Sequence, residues 1–139
     1  MNGFQALAAV IAGIAGFIAG AAWYAPFTFG PLWLRFAPEA LENIEHTPPR
    51  KLARYGVAFL ASLVQAFALE ALLIYCGRDD LGFALALAGV VWFAFTASAS
   101  LMDGLFRRRM SRDWMVDMGH RLLVLAAIAI VLGLWPPGQ

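Results

Sequence analysis

Two groups of polar or ionisable residues, six residues in all, stand out within the apolar stretches of this chain, where such groups are costly and most often serve a function. The first group has two members, Glu70 and Gln65. The second group has four members near a basic segment: Asp103, Asp117, His120 and Arg121. An isolated acid such as Glu70 suits proton or solute binding, whereas an Asp and His pair suits acid/base chemistry or ligand binding.

The second group is expected to assemble at one end of two neighbouring helices. Asp117, His120 and Arg121 share one helix face because they are three and four residues apart. A short connection makes the stretch that carries Asp103 an antiparallel neighbour, so we expect Asp103 to meet Arg121 or His120. We favour a structural clamp in which carboxylates neutralise Arg121. The alternative is an acid/base pair or metal ligands at Asp117 and His120, although a metal site needs three or four ligands, and no metal or cofactor is predicted.

Glu70 lies nearer one end of its stretch, and Gln65 lies about one and a half turns deeper. The sequence offers Glu70 no evident partner at that depth. Such an acid suits a proton-coupled transporter, in which protonation and substrate binding compete, or a dimer interface where two copies share a proton. An equal alternative is that the side chain extends to the lipid headgroups.

The elements that position these residues are predicted to be membrane helices. Hydrophobic residues make up 62% of the chain and its mean hydropathy is +0.73, which a soluble globule of this size cannot bury. Crossing a bilayer takes about 20 helical residues, and four stretches are that long: 4–24, 52–76, 81–105 and 114–135. We therefore predict an all-α membrane protein, one domain over 1–139 with four transmembrane helices in an up-down bundle and connections at 25–51 and 106–113.

The distribution of basic residues predicts the orientation of the bundle. Nine of the ten Lys and Arg residues lie in or beside the first and third connections, and such segments stay in the cytoplasm. Both termini and the turn that carries Arg78 would then lie outside. Anionic lipid headgroups are the expected partners of four arginines: Arg107, Arg108, Arg109 and Arg112. The formal net charge of +1 does not indicate nucleic acid binding.

Small residues mark the surfaces on which these helices are expected to pack. The first stretch carries Ala8, Ala12, Gly16 and Gly20 at intervals of four residues, a spacing that lets membrane helices approach closely. We expect this face to pack within the bundle, with homodimerisation as the alternative. The single cysteine, Cys76, excludes an intrachain disulfide.

The segment 23–33 reads WYAPFTFGPLW and resembles the signature of domain of unknown function family 1761, a group of small bacterial membrane proteins. The resemblance continues at Asp103 with Phe106, at Asp117 with Gly119, and at the run Gly133-Leu134-Trp135. It implies a four-helix integral membrane protein of the bacterial inner membrane, and it brings no biochemical activity with it. Family members tend to carry an aromatic residue where this chain has His120.

The aromatic segment at the end of the first stretch suggests both an anchor and a lid. Trp23 and Tyr24 suit the membrane interface, and Pro26 ends the helix because proline lacks a backbone donor. Anchoring is the simpler interpretation. The functional alternative is that the segment covers the group around Asp117 and forms a cytoplasm-facing polar pocket with aromatic walls.

Three classes of function follow. We favour a noncatalytic membrane protein that acts as a homo-oligomer or as an accessory subunit of a larger membrane complex. The second class is a small-solute or proton-coupled transporter that uses Glu70, and the third is a membrane enzyme or ligand-binding protein with the cytoplasm-facing site. An enzyme is the less favoured class because the sequence contains no nucleophile elbow, phosphate-binding glycine loop or complete set of metal ligands.

Overall fold

Four apolar helices make up the computed structural model of this chain, which describes residues 1–23, 48–107 and 112–136. Helix α1 is Gly3–Trp23 and helix α2 is Pro48–Cys76. The third membrane-length helix is continuous but has three parts: α3 at Leu81–Val91, a π-helical segment at Trp92–Ala97, and α4 at Ser98–Arg107. Helix α5 is Arg112–Leu134. Each of the four is long and apolar enough to cross a membrane, which confirms the predicted fold class.

Helix α1 lies between α2 and α5 and packs through its small residues. Its buried residues are Ala8, Ala9, Ala12, Gly13, Gly16 and Gly20, which confirms the predicted packing face. At Gly16 the approach is so close that a Cβ would lie 2.8 Å from both Ile128 Cγ1 and Ser62 Oγ. The buried Ser62 hydroxyl donates a 2.7 Å hydrogen bond to the Gly13 carbonyl oxygen, and it thereby ties α2 to α1.

The third helix occupies a peripheral position. Helix α1 packs against α2 and α5, whereas α3 and the π-helical segment pack mainly against α5. Among the described residues, α3 contributes Ala84 and Ala88 to the core, and Val90, Phe93 and Phe95 are exposed. The third helix therefore joins the bundle mainly through α5, and α1 joins α5 to α2.

A tight turn joins α2 to α3. Gly77 has φ +68°, and the Gly77 and Arg78 amides donate to the carbonyls of Ile74 and Leu73, which is the hydrogen-bond pattern of a Schellman motif. Asp80 then caps α3 by accepting a 3.0 Å hydrogen bond from the Phe83 amide. This bond, assisted by Arg78, lowers the pKa of the Asp80 carboxyl below its ordinary value, so the cap stabilises the turn above that ordinary value and is lost under strong acid.

Candidate functional site

Glu70 faces the interior of the bundle. Ser62, Ala66 and Leu73 are buried on the same face of α2, and Glu70 follows Ala66 by four residues, which places it on that face. Its side chain is only 8% exposed, although it lies six residues, or about 9 Å, from the end of the helix. The headgroup alternative is therefore not what the structure shows, because the carboxylate lies between helices.

Glu70 borders a cavity at one end of the bundle, the end at which Gly77 lies. We call this cavity the Glu70 pocket. Its volume is about 240 Å³. Three elements meet here: the first turn of α1, the last turns of α2 with the following turn, and the end of α5. The lining residues are Phe4, Gln5, Glu70, Leu73, Ile74, Gly77, Arg78, Asp79, Leu132, Trp135 and Pro136. Because Arg78, Asp79 and Pro136 are exposed, the pocket opens toward the turn.

Two polar groups on residues that line the Glu70 pocket have no partner within the described part of the chain. The indole Nε1 of Trp135 is buried and has no hydrogen-bond acceptor there. The Glu70 carboxylate likewise has no hydrogen bond or ion pair with a described residue, and the other carboxylate that borders the pocket belongs to Asp79. Unpaired groups of this kind are costly in a folded protein, so they mark a place where a ligand or water would gain interactions.

The other polar lining residues are already engaged. Arg78 forms a salt bridge of 3.1 Å with Asp80, and its guanidinium lies 4.6 Å from the centre of the Phe83 ring. Gln5 exchanges hydrogen bonds with Asn2 at the start of α1, its Oε1 accepting from the Asn2 amide at 2.9 Å. Neither side chain neutralises Glu70.

The structure does not bring Gln65 to Glu70. Five residues along a helix correspond to a rotation of about 140° after a full turn, and Gln65 is exposed on the outside of α2. The two residues predicted as one candidate proton or solute site therefore lie on different faces, with Glu70 inside the bundle and Gln65 facing lipid.

The second predicted group lies at the opposite end of the bundle and is more dispersed than expected. Arg121 forms an ion pair with Asp117 on the same helix, at 3.3 Å. The His120 ring faces α1, since a Cβ on Gly20 would lie 2.7 Å from its Nε2. Asp103 is exposed near the C-terminal end of the third helix. The side chains described here contain no group of three or more His, Cys, Asp or Glu that could hold a metal ion.

Tryptophan side chains hold the first turns of α5 against the rest of the bundle. Trp23 Nε1 donates a 3.0 Å hydrogen bond to the Val116 carbonyl, and Trp92 Nε1 donates a 3.1 Å bond to the Met118 carbonyl. Trp114 Nε1 donates to Ser100 Oγ at 2.8 Å. Trp23 thus acts as an interhelical clamp at this end. Tyr24, the connection around it, and the side chains of Arg107, Arg108, Arg109 and Arg112 lie outside the described residues.

One comparison with known proteins identifies a family. The model of the family described as "Protein of unknown function (DUF1761)" matches residues 7–133. The chain belongs to this family. No curated protein and no solved structure matches the chain. Membership in this family, together with the four apolar helices, establishes an integral membrane protein.

Several residues of the pocket were missed by the sequence analysis. Trp135 was noted only as part of a family motif, and Phe4 and Gln5 were not singled out. One available signal was the spacing of Ser62, Ala66 and Glu70, which repeats every four residues and places the carboxylate on the small-residue face. The meeting of Phe4 with Trp135 depends on the tertiary arrangement, and no local pattern indicates it.

Proposed function

We propose that this member of the family is a noncatalytic membrane protein that binds a small solute in the Glu70 pocket. The observation that carries the proposal is the burial, at the edge of a cavity, of a Glu70 carboxylate that has no partner among the described residues. Burying a charge without a counter-charge is strongly unfavourable, and an intramembrane acid is retained mainly where it binds something. In a transporter, a proton and the solute would compete for this same carboxylate.

If the pocket admits solutes, a water-soluble reagent should reach one buried position on α5 that lines it and not a second buried position that lies outside it. Leu132 lines the pocket and is 2% exposed, and Ile128, one turn away, is 0% exposed and lies outside it. In a Cys76→Ser background, we expect Leu132→Cys to react with a small methanethiosulfonate reagent and Ile128→Cys to remain unmodified. Mass spectrometry of the intact protein in nanodiscs measures both.

Equal reactivity of the two variants would contradict the proposal, as would a failure of Leu132→Cys to react in protein that remains monodisperse. Reactivity confined to denatured samples would count against it in the same way. The control is internal because both variants replace a buried aliphatic residue on the same helix.

We also propose that the Glu70 pocket opens to the outer face of a bacterial inner membrane. The support is the concentration of Lys and Arg in the first and third connections, which places those connections in the cytoplasm and leaves their arginines near anionic headgroups. A reporter fused after Gln139 is expected to be active only outside the cytoplasm. Alkaline phosphatase and green fluorescent protein fusions give opposite readouts, and a fluorescent, phosphatase-inactive fusion would reverse the orientation.

Self-association, or attachment to a larger membrane complex, is a second candidate function, and Gln65 favours it. Its amide lies eleven residues from Cys76, or about 16 Å along the helix, which corresponds to the middle of a hydrocarbon core of about 30 Å. It is exposed there, and it has no hydrogen bond with any described residue. An amide at this depth gains a partner when a second helix supplies one.

Replacing Gln65 tests this second candidate. Interhelical hydrogen bonds of this kind contribute about 0.6–2 kcal/mol, so we expect Gln65→Leu to lower the association constant of a homodimer several-fold. The neighbouring exposed replacement Val64→Leu is the matched control and should leave association unchanged. Förster transfer between labelled copies in liposomes measures the dimer fraction, and equal association of all three proteins would refute the role of Gln65.

A further inference from the structure

We propose that the ligand of the Glu70 pocket is an organic ammonium group, an inference that rests on the solute-binding function proposed above. The pocket combines an unpaired buried carboxylate with aromatic rings and a volume suited to a small molecule. Each of these features is independent of the others, and together they favour a positively charged, partly apolar ligand over an anion or a neutral sugar.

The charge of the lining is negative. Glu70 and Asp79 both border the pocket, and the guanidinium of Arg78 is engaged by the Asp80 carboxylate at 3.1 Å. The remaining uncompensated charges are therefore carboxylates, and Glu70 is the more buried of the two. A cation in the pocket would relieve the repulsion between them and would satisfy the carboxylate that has no partner among the described residues.

The apolar walls provide surfaces that attract a cation. The Phe4 and Trp135 rings are tilted by 53° with their centroids 5.6 Å apart, and both line the pocket. The faces of aromatic rings attract ammonium groups, with the strongest attraction from tryptophan.

The volume restricts the ligand to a small group. The pocket of about 240 Å³ is larger than the roughly 30 Å³ that one water occupies and smaller than the about 300–1,000 Å³ of sites for drug-sized ligands. An ammonium group of suitable size occurs in free amines and also in the ethanolamine headgroup of a phospholipid. Because the pocket opens toward the turn at the membrane surface, both sources reach it.

Choline binding to the full chain in nanodiscs of phosphatidylglycerol, which contains no ammonium group, tests the proposal. We expect saturable binding by calorimetry. The neutral isostere 3,3-dimethylbutan-1-ol, in which carbon replaces nitrogen, should bind at least tenfold more weakly. Glu70→Gln should weaken choline binding at least tenfold and Phe4→Leu several-fold, while Asp103→Asn, which removes a carboxylate at the opposite end of the bundle, should leave it unchanged.

The outcomes separate the ligand class from the pocket itself. Equal binding of choline and its isostere, or undiminished choline binding by Glu70→Gln, would overturn the ammonium assignment. Absence of choline binding would also overturn it, and reactivity of Leu132→Cys would then leave the solute pocket standing. Phe4→Leu keeps the test decisive if Glu70→Gln fails to fold. If choline binds, repeating the titration with phosphatidylethanolamine present identifies the source: competition assigns the lipid headgroup, and unchanged affinity assigns a free amine.

Discussion

Gly133→Ala is expected to destabilise the bundle markedly although it adds a single methyl group. A Cβ at Gly133 would lie 2.6 Å from Leu81 Cα and 3.2 Å from Leu81 N. These are backbone atoms at the start of α3, so no side-chain rotation relieves the overlap and the helices must separate. Overpacking typically costs about 1–3 kcal/mol, and we expect a fall of several degrees in the thermal unfolding midpoint measured in detergent.

The matched control is Gly89→Ala on α3, where an added Cβ meets no atom within 4 Å. Alanine is the better helix former by about 1 kcal/mol in water, so this variant is expected to be neutral or slightly more stable. A common shift for the two variants would show that glycine content, and not the contact between α5 and α3, sets the stability. The same separation of helices would also widen the Glu70 pocket, since Leu132 and Trp135 flank Gly133 in sequence.

The sequence was sufficient to predict the fold class because few backbone structures are stable in the hydrocarbon of a bilayer. A stretch of about 20 apolar residues must satisfy its backbone internally, and it therefore forms a helix. The packing face of α1 was equally predictable from Ala8, Ala12, Gly16 and Gly20, since only small residues allow close approach of backbones. Both predictions rest on patterns within one stretch of sequence. Neither requires knowing which helix packs against it.

The arrangement of helices around α1 was not predictable in the same way. The third stretch also carries small residues, including Ala84, Ala88 and Gly89, yet it packs mainly against α5. Its alanines form a surface that permits close packing, but they do not determine which helix packs against that surface. Arg121 has a carboxylate partner on its own helix, Asp117 at 3.3 Å, and the expected contact of Asp103 with Arg121 or His120 stays a prediction.

The candidate site was predictable in part. Glu70 was identified as the isolated acid of the second stretch, and its spacing from Ser62 and Ala66 contained the information that it faces inward. Gln65, grouped with it as one candidate site, is exposed on another face of α2, because nearness in sequence does not imply a shared helix face. The aromatic wall could not be derived, since Phe4 and Trp135 come from opposite ends of the chain and meet only when α1 and α5 pack side by side.

At the other end of the bundle, the Trp23 ring packs directly against Gly119. A Cβ at Gly119 would lie 2.8 Å from Trp23 Cζ2, and the indole is held in place by its 3.0 Å hydrogen bond to the Val116 carbonyl. Gly119→Ala therefore forces the ring to move and to strain that bond. We expect a loss of about 1–3 kcal/mol, seen as a lower unfolding midpoint.

Trp23→Phe removes the donor and also the ring atoms that an alanine at 119 would meet. Alone it is expected to cost about 0.5–1.5 kcal/mol for the hydrogen bond, plus the packing of the larger ring. In the double variant the indole atoms that clash with alanine at position 119 are absent. The loss of stability should therefore be smaller than the sum of the single losses by about 0.5–3 kcal/mol. Combining Trp23→Phe with Gly56→Ala, whose Cβ would meet nothing within 4 Å, should be additive. Additivity in both pairs would mean that Trp23 does not clamp α5. A ring held against Gly119 would clash with the added methyl group, and that clash would disappear when the ring is made smaller.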